Sequence, residues 1–211
     1  MIRFDHVSVM NLENAIRGAR NPLASWEKSD SFYNDDGEFI LGDADLSLAT
    51  RLAKAGSDHR KFIRQIFVSV DITAPLYWWK EFDTYKVGTV ANSTSTMHKI
   101  HAKPITSDDF STDHLTPESE RFFNLMVDYL ESVRLEYLET KDKALWYDLI
   151  TLLPESYEQT RTVTMNYENL VNMYHARKNH KLDEWHTFCD DFVLTLPYAK
   201  QLIVIHEEEE Q

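Results

Sequence analysis

Ile66, Val68, Val70 and Ile72 recur at every second position, and Phe67 occupies the opposite side. That period of two predicts a strand with one buried face, drawn over Phe62 to Ile72. Pro75 stands where a helix can begin, since the first turn leaves its amide donors unused. Trp78, Trp79, Phe82 and Tyr85 follow as an aromatic face, and Gly88 reads as the helix stop. Aromatic stripes at helical spacing are more often core, yet adjacent residues on a helix diverge by about 100°, so the alternative for one tryptophan of the pair is a subunit interface or a ligand.

Other elements follow from similar signals. Asn11 can cap a helix running to about Arg20, with Glu13 in its first turn. Residues 21 to 42 are polar and carry Asn34, Asp35, Asp36 and Gly37, which predicts a loop holding a short hairpin. Asp43 or Asp45 can cap a helix through Leu46, Leu48, Leu52 and Ala53, ended by Gly56. Thr89 to Thr96 is rich in Ser, Thr and Asn and reads as loop. Thr116-Pro117-Glu118 opens the longest helix, where Phe122, Phe123, Met126, Leu130, Val133 and Tyr137 lie at helical spacing up to Thr140. Ala144 to Leu153 forms a helix stopped by Pro154. Thr160 to Thr164 is β-branched and suits a short strand. Asn166 caps a helix through Leu170, Met173 and Arg177. Leu182, Trp185, Phe188 and Phe192 mark the next helix, and Pro197 starts a last apolar segment. These elements predict an α+β protein. Apolar residues spread without a break from Ile2 to Ile205, so one domain over 1–211 is expected.

Charge narrows the function. The chain carries a net −13, whereas a nucleic-acid strand requires a basic footprint. The run His206 to Gln211 reads as a solvated end. No apolar run is long enough to span a membrane. Cys189 is the single cysteine, which rules out an internal disulfide and makes a reducing cytoplasm the expected location. His98, His101 and His114 lie close in sequence but match no metal-ligand spacing, so no metal is expected. Cys189 sits between Phe188 and Phe192 and reads as a core thiol. Asn166 and Arg177 are eleven residues apart, which returns to nearly the same helix face. An arginine placed there can present a donor fork to a phosphate or carbonyl. The plainer alternative is a surface arginine paired with Glu168 or Asp183.

Leu153-Pro154, Arg161, Thr164-Met165-Asn166, Leu170, Asn172 and Arg177 together resemble the flavin-dependent thymidylate synthases, which carry Leu-Pro, Thr-x-Asn, Leu, Asn and Leu-Arg in this order. His59, Phe62, Phe67 and Val70, then Ala74-Pro75-Leu76-Tyr77, resemble that family's strand and following helix. The resemblance implies a central antiparallel sheet flanked by helices and a homotetramer with active sites between subunits. It implies FAD as cofactor, NADPH and methylenetetrahydrofolate as co-substrates, and dUMP or a related pyrimidine nucleotide as the methylene acceptor. Carried over by position, Asn166 and Asn172 hold flavin, with His59, Arg64, Thr84, Tyr85, Lys86 and Thr89 beside it. Lys80, Glu81, Ser93, Ser95 and Arg177 line the substrate side.

The family's Arg-His-Arg-x-x-Ser signature is replaced by Thr84-Tyr85-Lys86-Val87-Gly88-Thr89. Lys86 keeps a cation and Thr89 a hydroxyl. Ser93 stands where the family has Glu, Met97 where it has Arg, and Glu168 where it has another Arg. A lysine offers a point charge in place of a planar fork, and without a matching general acid or base the catalytic residue is unknown. The alternatives are a catalytically inactive relative that binds a nucleotide or a protein, and a structural module with no small ligand.

Overall fold

The computed structural model describes residues 1–205; the acidic run His206 to Gln211 lies outside the described residues. In chain order the elements are β1 (Arg3–Met10), α1 (Leu12–Ala19), β2 (Phe32–Tyr33), β3 (Phe39–Ile40), α2 (Asp43–Lys54), β4 (Phe67–Pro75), α3 (Leu76–Phe82), β5 (Val90–Ser93), α4 (Thr96–Lys99), α5 (Pro117–Thr140), α6 (Lys143–Leu152), β6 (Glu158–Asn166), α7 (Tyr167–Arg177), α8 (Asp183–Thr187) and α9 (Ala199–Leu202). Four strands form one sheet in the order β1-β4-β6-β5, and β2 pairs with β3. The architecture is an antiparallel sheet with flanking helices.

Side-chain pairs show the register of the two central strands. Thr73 meets Thr160 at 2.7 Å, Thr162 donates to Asp71 at 2.5 Å, and Thr164 meets Ser69 at 3.3 Å. A step forward on β4 is a step back on β6, as antiparallel pairing demands. The opposite face of β4 carries Val68, Val70, Ile72 and Ala74, all buried. Strict alternation over four residues is therefore a true sheet signal. The strand begins later than its sequence suggests, because Arg60–Gln65 coils into a 3-10 turn that buries Phe62 and Ile63.

Contacts divide the chain into two compact units, with β4 and β6 each split between them. The first contains Met1–Arg3, Asp71–Thr84 and Ala91–Thr162. Its apolar cluster joins Phe123, Val127, Leu130 and Val133 of α5 to Leu149 of α6, with Ile100, Ile105 and Phe110. Thr116 caps α5 by accepting from Ser119 N, and Asp142 caps α6 by accepting from Ala144 N. Trp79 Nε1 donates to the Gln159 carbonyl at 2.9 Å, and the Arg161 guanidinium stacks 4.2 Å from its ring.

Both tryptophans of α3 are buried, at 0% and 1% exposure. The core reading therefore holds for both, and the alternative of a partner or ligand for one fails: Trp78 stacks on Phe82 at 5.2 Å and meets Trp79 edge-on at 5.0 Å. Large flat rings reach a shared core even from diverging positions. The helix also stops at Phe82, well before Gly88, and the supposed loop after it contains β5.

The second unit contains Phe4–Val70, Tyr85–Val90 and the described residues from Val163 onward. β1 gave no alternation to read, since most of it is exposed and burial never selects its side chains. His6 interrupts it with φ 53°, a left-handed conformation rare outside glycine. The expected hairpin is present, with Phe32 opposite Ile40. Neither Asp43 nor Asp45 caps α2. Gly42 holds that position, and Asp30 reaches across to accept from Ala44 N at 2.8 Å and Asp45 N at 3.0 Å. The segment of Trp185, Phe188 and Phe192 is helical only to Thr187, then widens into a π-type turn over Phe188–Phe192.

Candidate functional site

α7 begins with a reciprocal cap. Asn166 accepts from Asn169 N at 3.1 Å, and Asn169 accepts from Asn166 N at 3.0 Å. Two orphan amides at the helix start are satisfied at once. Asn169 uses its remaining amide to donate to the Val87 carbonyl at 2.6 Å. Val87 belongs to the loop Tyr85 to Val90, which runs along this helix in the second unit. Gly88, at φ 78°, passes so close that an added Cβ would stand 3.1 Å from Asn169 Oδ1 and 3.2 Å from Asn166 Nδ2. Only glycine combines that backbone with that approach.

At the other end of α7, Arg177 Nε donates to the Tyr85 hydroxyl at 2.9 Å. Its guanidinium lies 5.5 Å from the Tyr85 ring centre and 5.0 Å from that of Trp185. Tyr85 and Trp185 themselves meet edge-on at 6.2 Å. Asn166 and Arg177 therefore address one loop from the same side of the helix, as their spacing predicts. Thr89 closes the loop by donating to the Tyr85 carbonyl. Lys86 is exposed, as are His59 and Asn172.

Glu168 does not pair with Arg177. Arg60 donates to it at 3.1 Å, and Arg64 Nε stands 3.7 Å away. The carboxylate in the first turn of α7 is favoured by the helix dipole and neutralised by two guanidiniums from the preceding 3-10 turn. Arg64 is half-exposed, so its cation still reaches solvent.

The remaining expected residues fall in the first unit. Lys80 pairs with Glu155. Thr84 donates to the Glu81 carbonyl at 2.7 Å. Ser93 is exposed on β5. Ser95 caps α4 by accepting from His98 N at 3.1 Å. Arg161 is held by Asp83 and Gln159 at 2.8 Å and 2.9 Å.

Several participants carry little signal of their role in the sequence. Asn169 sits three residues after Asn166, the spacing of a capping box, so its signal was present. Trp185 looked like any core aromatic. Arg60 became visible only through Glu168. Among the described residues, no cluster of His, Cys, Asp or Glu is arranged to hold a metal ion. Burial pushes the Cys189 thiol up to about 12, and neighbouring Asp190 adds to the shift. A protonated, buried thiol is a packing residue and no nucleophile. Among the described residues, no helix is long and apolar enough to cross a membrane.

A flavin would need donors that the fold does not already consume. Thr89 spends its hydroxyl inside the loop and Asn166 spends its Oδ1 as an acceptor in the cap, whereas Lys86, Asn172 and His59 remain exposed and Arg64 is partly so. Two cations, one amide and one imidazole are a donor set chemically compatible with an anionic dinucleotide.

The fold is that of the flavin-dependent thymidylate synthases. The flavin dependent thymidylate synthase ThyX from Helicobacter pylori, complexed with FAD and dUMP, superposes with TM-scores of 0.67 and 0.69 in two structures. Each is 19% identical and covers 96% of this chain and 97% of its own. PolB, a UMP/dUMP methylase from Streptomyces cacaoi bound with 5-Br dUMP, gives a TM-score of 0.62 at 13% identity, covering 95% of this chain and 91% of its own. At such identities the likeness is one of fold. No protein-family model matches the chain, and no curated protein does.

Proposed function

We propose that this chain is a flavin-dependent thymidylate synthase-like protein acting on dUMP or a related pyrimidine nucleotide. The observation that carries the reading is the loop Tyr85 to Val90 held along α7, with Arg177 fixed at one end and the asparagine cap at the other. That loop occupies the position of the family signature. The fold neighbours were captured with FAD and dUMP or with a brominated dUMP, and the inclusion of a UMP/dUMP methylase widens the acceptor to pyrimidine nucleotides generally.

In this reading Asn172, His59, Arg64, Thr84, Tyr85, Lys86 and Thr89 lie on the flavin side, with Asn166 contributing through its cap. Arg177, Lys80, Glu81, Ser93 and Ser95 lie on the nucleotide side. FAD, once bound, supplies redox chemistry for methylene transfer from methylenetetrahydrofolate, with NADPH as reductant. The protein contributes orientation and charge, and a homotetramer in the cytoplasm, folded as one domain, completes the proposal. A second reading has a specific observation behind it. Glu168, where the family has Arg, is neutralised by Arg60 and Arg64. A carboxylate at this point, occupying two guanidiniums, favours a relative that binds a nucleotide without turning it over.

Purified protein incubated with FAD separates the readings. Flavin absorbance retained after gel filtration, a raised melting temperature in dUMP and tritium release from 5-labelled dUMP support the enzyme. A nucleotide-induced rise without flavin or turnover supports the inactive relative. A colourless protein that no pyrimidine nucleotide stabilises sinks both.

A further inference from the structure

α5 carries two apolar faces. One sets Phe123, Val127, Leu130 and Val133 into the apolar cluster of the first unit. The other holds Phe122, Leu125 and Tyr129, whose spacing of three and then four residues places them on one stripe. All three face solvent, at 71%, 68% and 53% exposure. Together they form a patch on the order of a few hundred Å², the size that marks an interaction site. Arg121 and Asp128 are exposed along one edge of this stripe, and Arg121 Nε donates to the Pro117 carbonyl at 3.2 Å. Arg121 and Asp128 stand roughly 10 Å apart along the helix axis, too far to pair with each other.

We propose that this outer face of α5, centred on Leu125, is the surface through which two copies of the chain pair antiparallel about a twofold axis. The pairing needs neither flavin nor nucleotide, and it gives a surface to the oligomer of the proposed function. With Leu125 at zero and about 100° per residue, Phe122 and Tyr129 lie at about +60° and +40°, and Arg121 and Asp128 at about −40° and −60°. A twofold axis across the paired helices keeps each edge on its own side and reverses the order along it. Phe122 then meets the partner subunit's Tyr129, and Arg121 meets the partner subunit's Asp128, each level within about one residue's rise. Both contacts occur twice, around two leucines on the axis. Glu118 comes level with the partner subunit's Ser132, so no acid opposes an acid there. A parallel pair in register would set Asp128 against the partner subunit's Asp128. Chains of net −13 repel one another, and the two reciprocal Arg–Asp contacts supply local attraction against that repulsion. An unrelated partner would not require opposite charges placed symmetrically about Leu125.

Sedimentation velocity of the full chain tests the pairing, with circular dichroism to confirm that each variant is folded. Leu125→Glu places two carboxylates on the axis and is expected to halve the mass of the assembly. Arg121→Asp and Asp128→Arg, each alone, set like charges together twice and should raise the dissociation constant about tenfold. Mixed in equal amounts, the two charge variants regain opposite signs at both contacts, and the mixture should recover the affinity of the wild type. A folded Leu125→Glu protein of unchanged mass overturns this face while leaving assembly through another surface intact. Charge variants that associate no better mixed than alone overturn the antiparallel arrangement. A wild-type chain that sediments as a monomer at every concentration overturns the pairing and the proposed oligomer together, whereas flavin and nucleotide binding are read separately.

Discussion

Two arginines in the second unit are held in opposite ways. Arg20 is 5% exposed and fully caged: Nε donates to Asp45 at 2.6 Å, and the two terminal nitrogens donate to the Ser25 and Lys28 carbonyls at 3.2 Å and 2.9 Å. Asp45, 0% exposed, also accepts from the Ser29 and Ser31 hydroxyls, both at 2.6 Å. Arg177 is half-buried and held by ring faces and a phenol. The first arrangement matches charge with charge and pins the loop after α1 to α2. The second places ring faces and a phenol hydroxyl against a guanidinium at the end of a helix. The buried ion pair serves the fold; under the proposed function the half-buried arginine serves a ligand.

Breaking the first arrangement should have the largest effect. Asp45→Ala strands a buried guanidinium and should cost about 3–5 kcal/mol, read from chemical denaturation. Burial alone would push the Asp45 carboxyl up, but the hydrogen bonds from Ser29, Ser31 and Arg20 and the charge of Arg20 outweigh it and leave it below its ordinary value. A group depressed in the folded state stabilises above its unfolded value and loses that contribution as pH falls through the folded one. The wild type should therefore lose stability below about pH 4, and Asp45→Asn should show a flatter acid profile. A cage that tolerates alanine with little loss would mean that Arg20 relaxes to solvent.

Next in size is the loop that links the cap to Arg177. Gly88→Ala must hold φ near 78° and place a methyl 3.1 Å from the Asn169 amide. The left-handed backbone alone costs roughly 1–2 kcal/mol, and the displaced Asn169 loosens its bond to Val87. A melting point lower by a few degrees, with faster amide exchange confined to residues 85–90, is expected. An unchanged melting point and unchanged exchange would show that the loop is not bound to α7 in solution.

The sequence made some of these elements legible for reasons that can be named. α5 announces itself because Thr116-Pro117 fixes its start and its apolar residues recur at helical spacing along one face. The face shared by Asn166 and Arg177 follows from helix geometry alone. Asp45 was misread as a cap, because an aspartate near a helix start usually is one; its partners, Arg20, Ser29 and Ser31, lie in a polar stretch with no period to place them. The tryptophan pair left an alternative to the core open because angular divergence was weighed and ring size was not. Trp185 could be recognised as a helix aromatic, but nothing in its neighbours tells that an arginine eight residues earlier stacks on it. Periodicity reports which side of an element is buried, and it is silent about which buried group a charged side chain will choose.

The smallest stability effect should come from Arg177→Ala, and it sharpens the comparison most. Stacking of a partly exposed guanidinium on tyrosine and tryptophan contributes on the order of 0.5–1 kcal/mol per contact, and the phenol it leaves behind can turn to water. Trp185 remains packed against Phe188 at 5.4 Å, so the core beneath stays closed. Unfolding should thus shift by about 1 kcal/mol, well short of the Asp45→Ala loss, while the nucleotide-induced rise in melting temperature disappears. If Arg177→Ala proves as costly as Asp45→Ala in the absence of ligand, Arg177 is a second structural cage. The separation of a fold-holding arginine from a ligand-facing one then fails, and the nucleotide assignment loses its anchor.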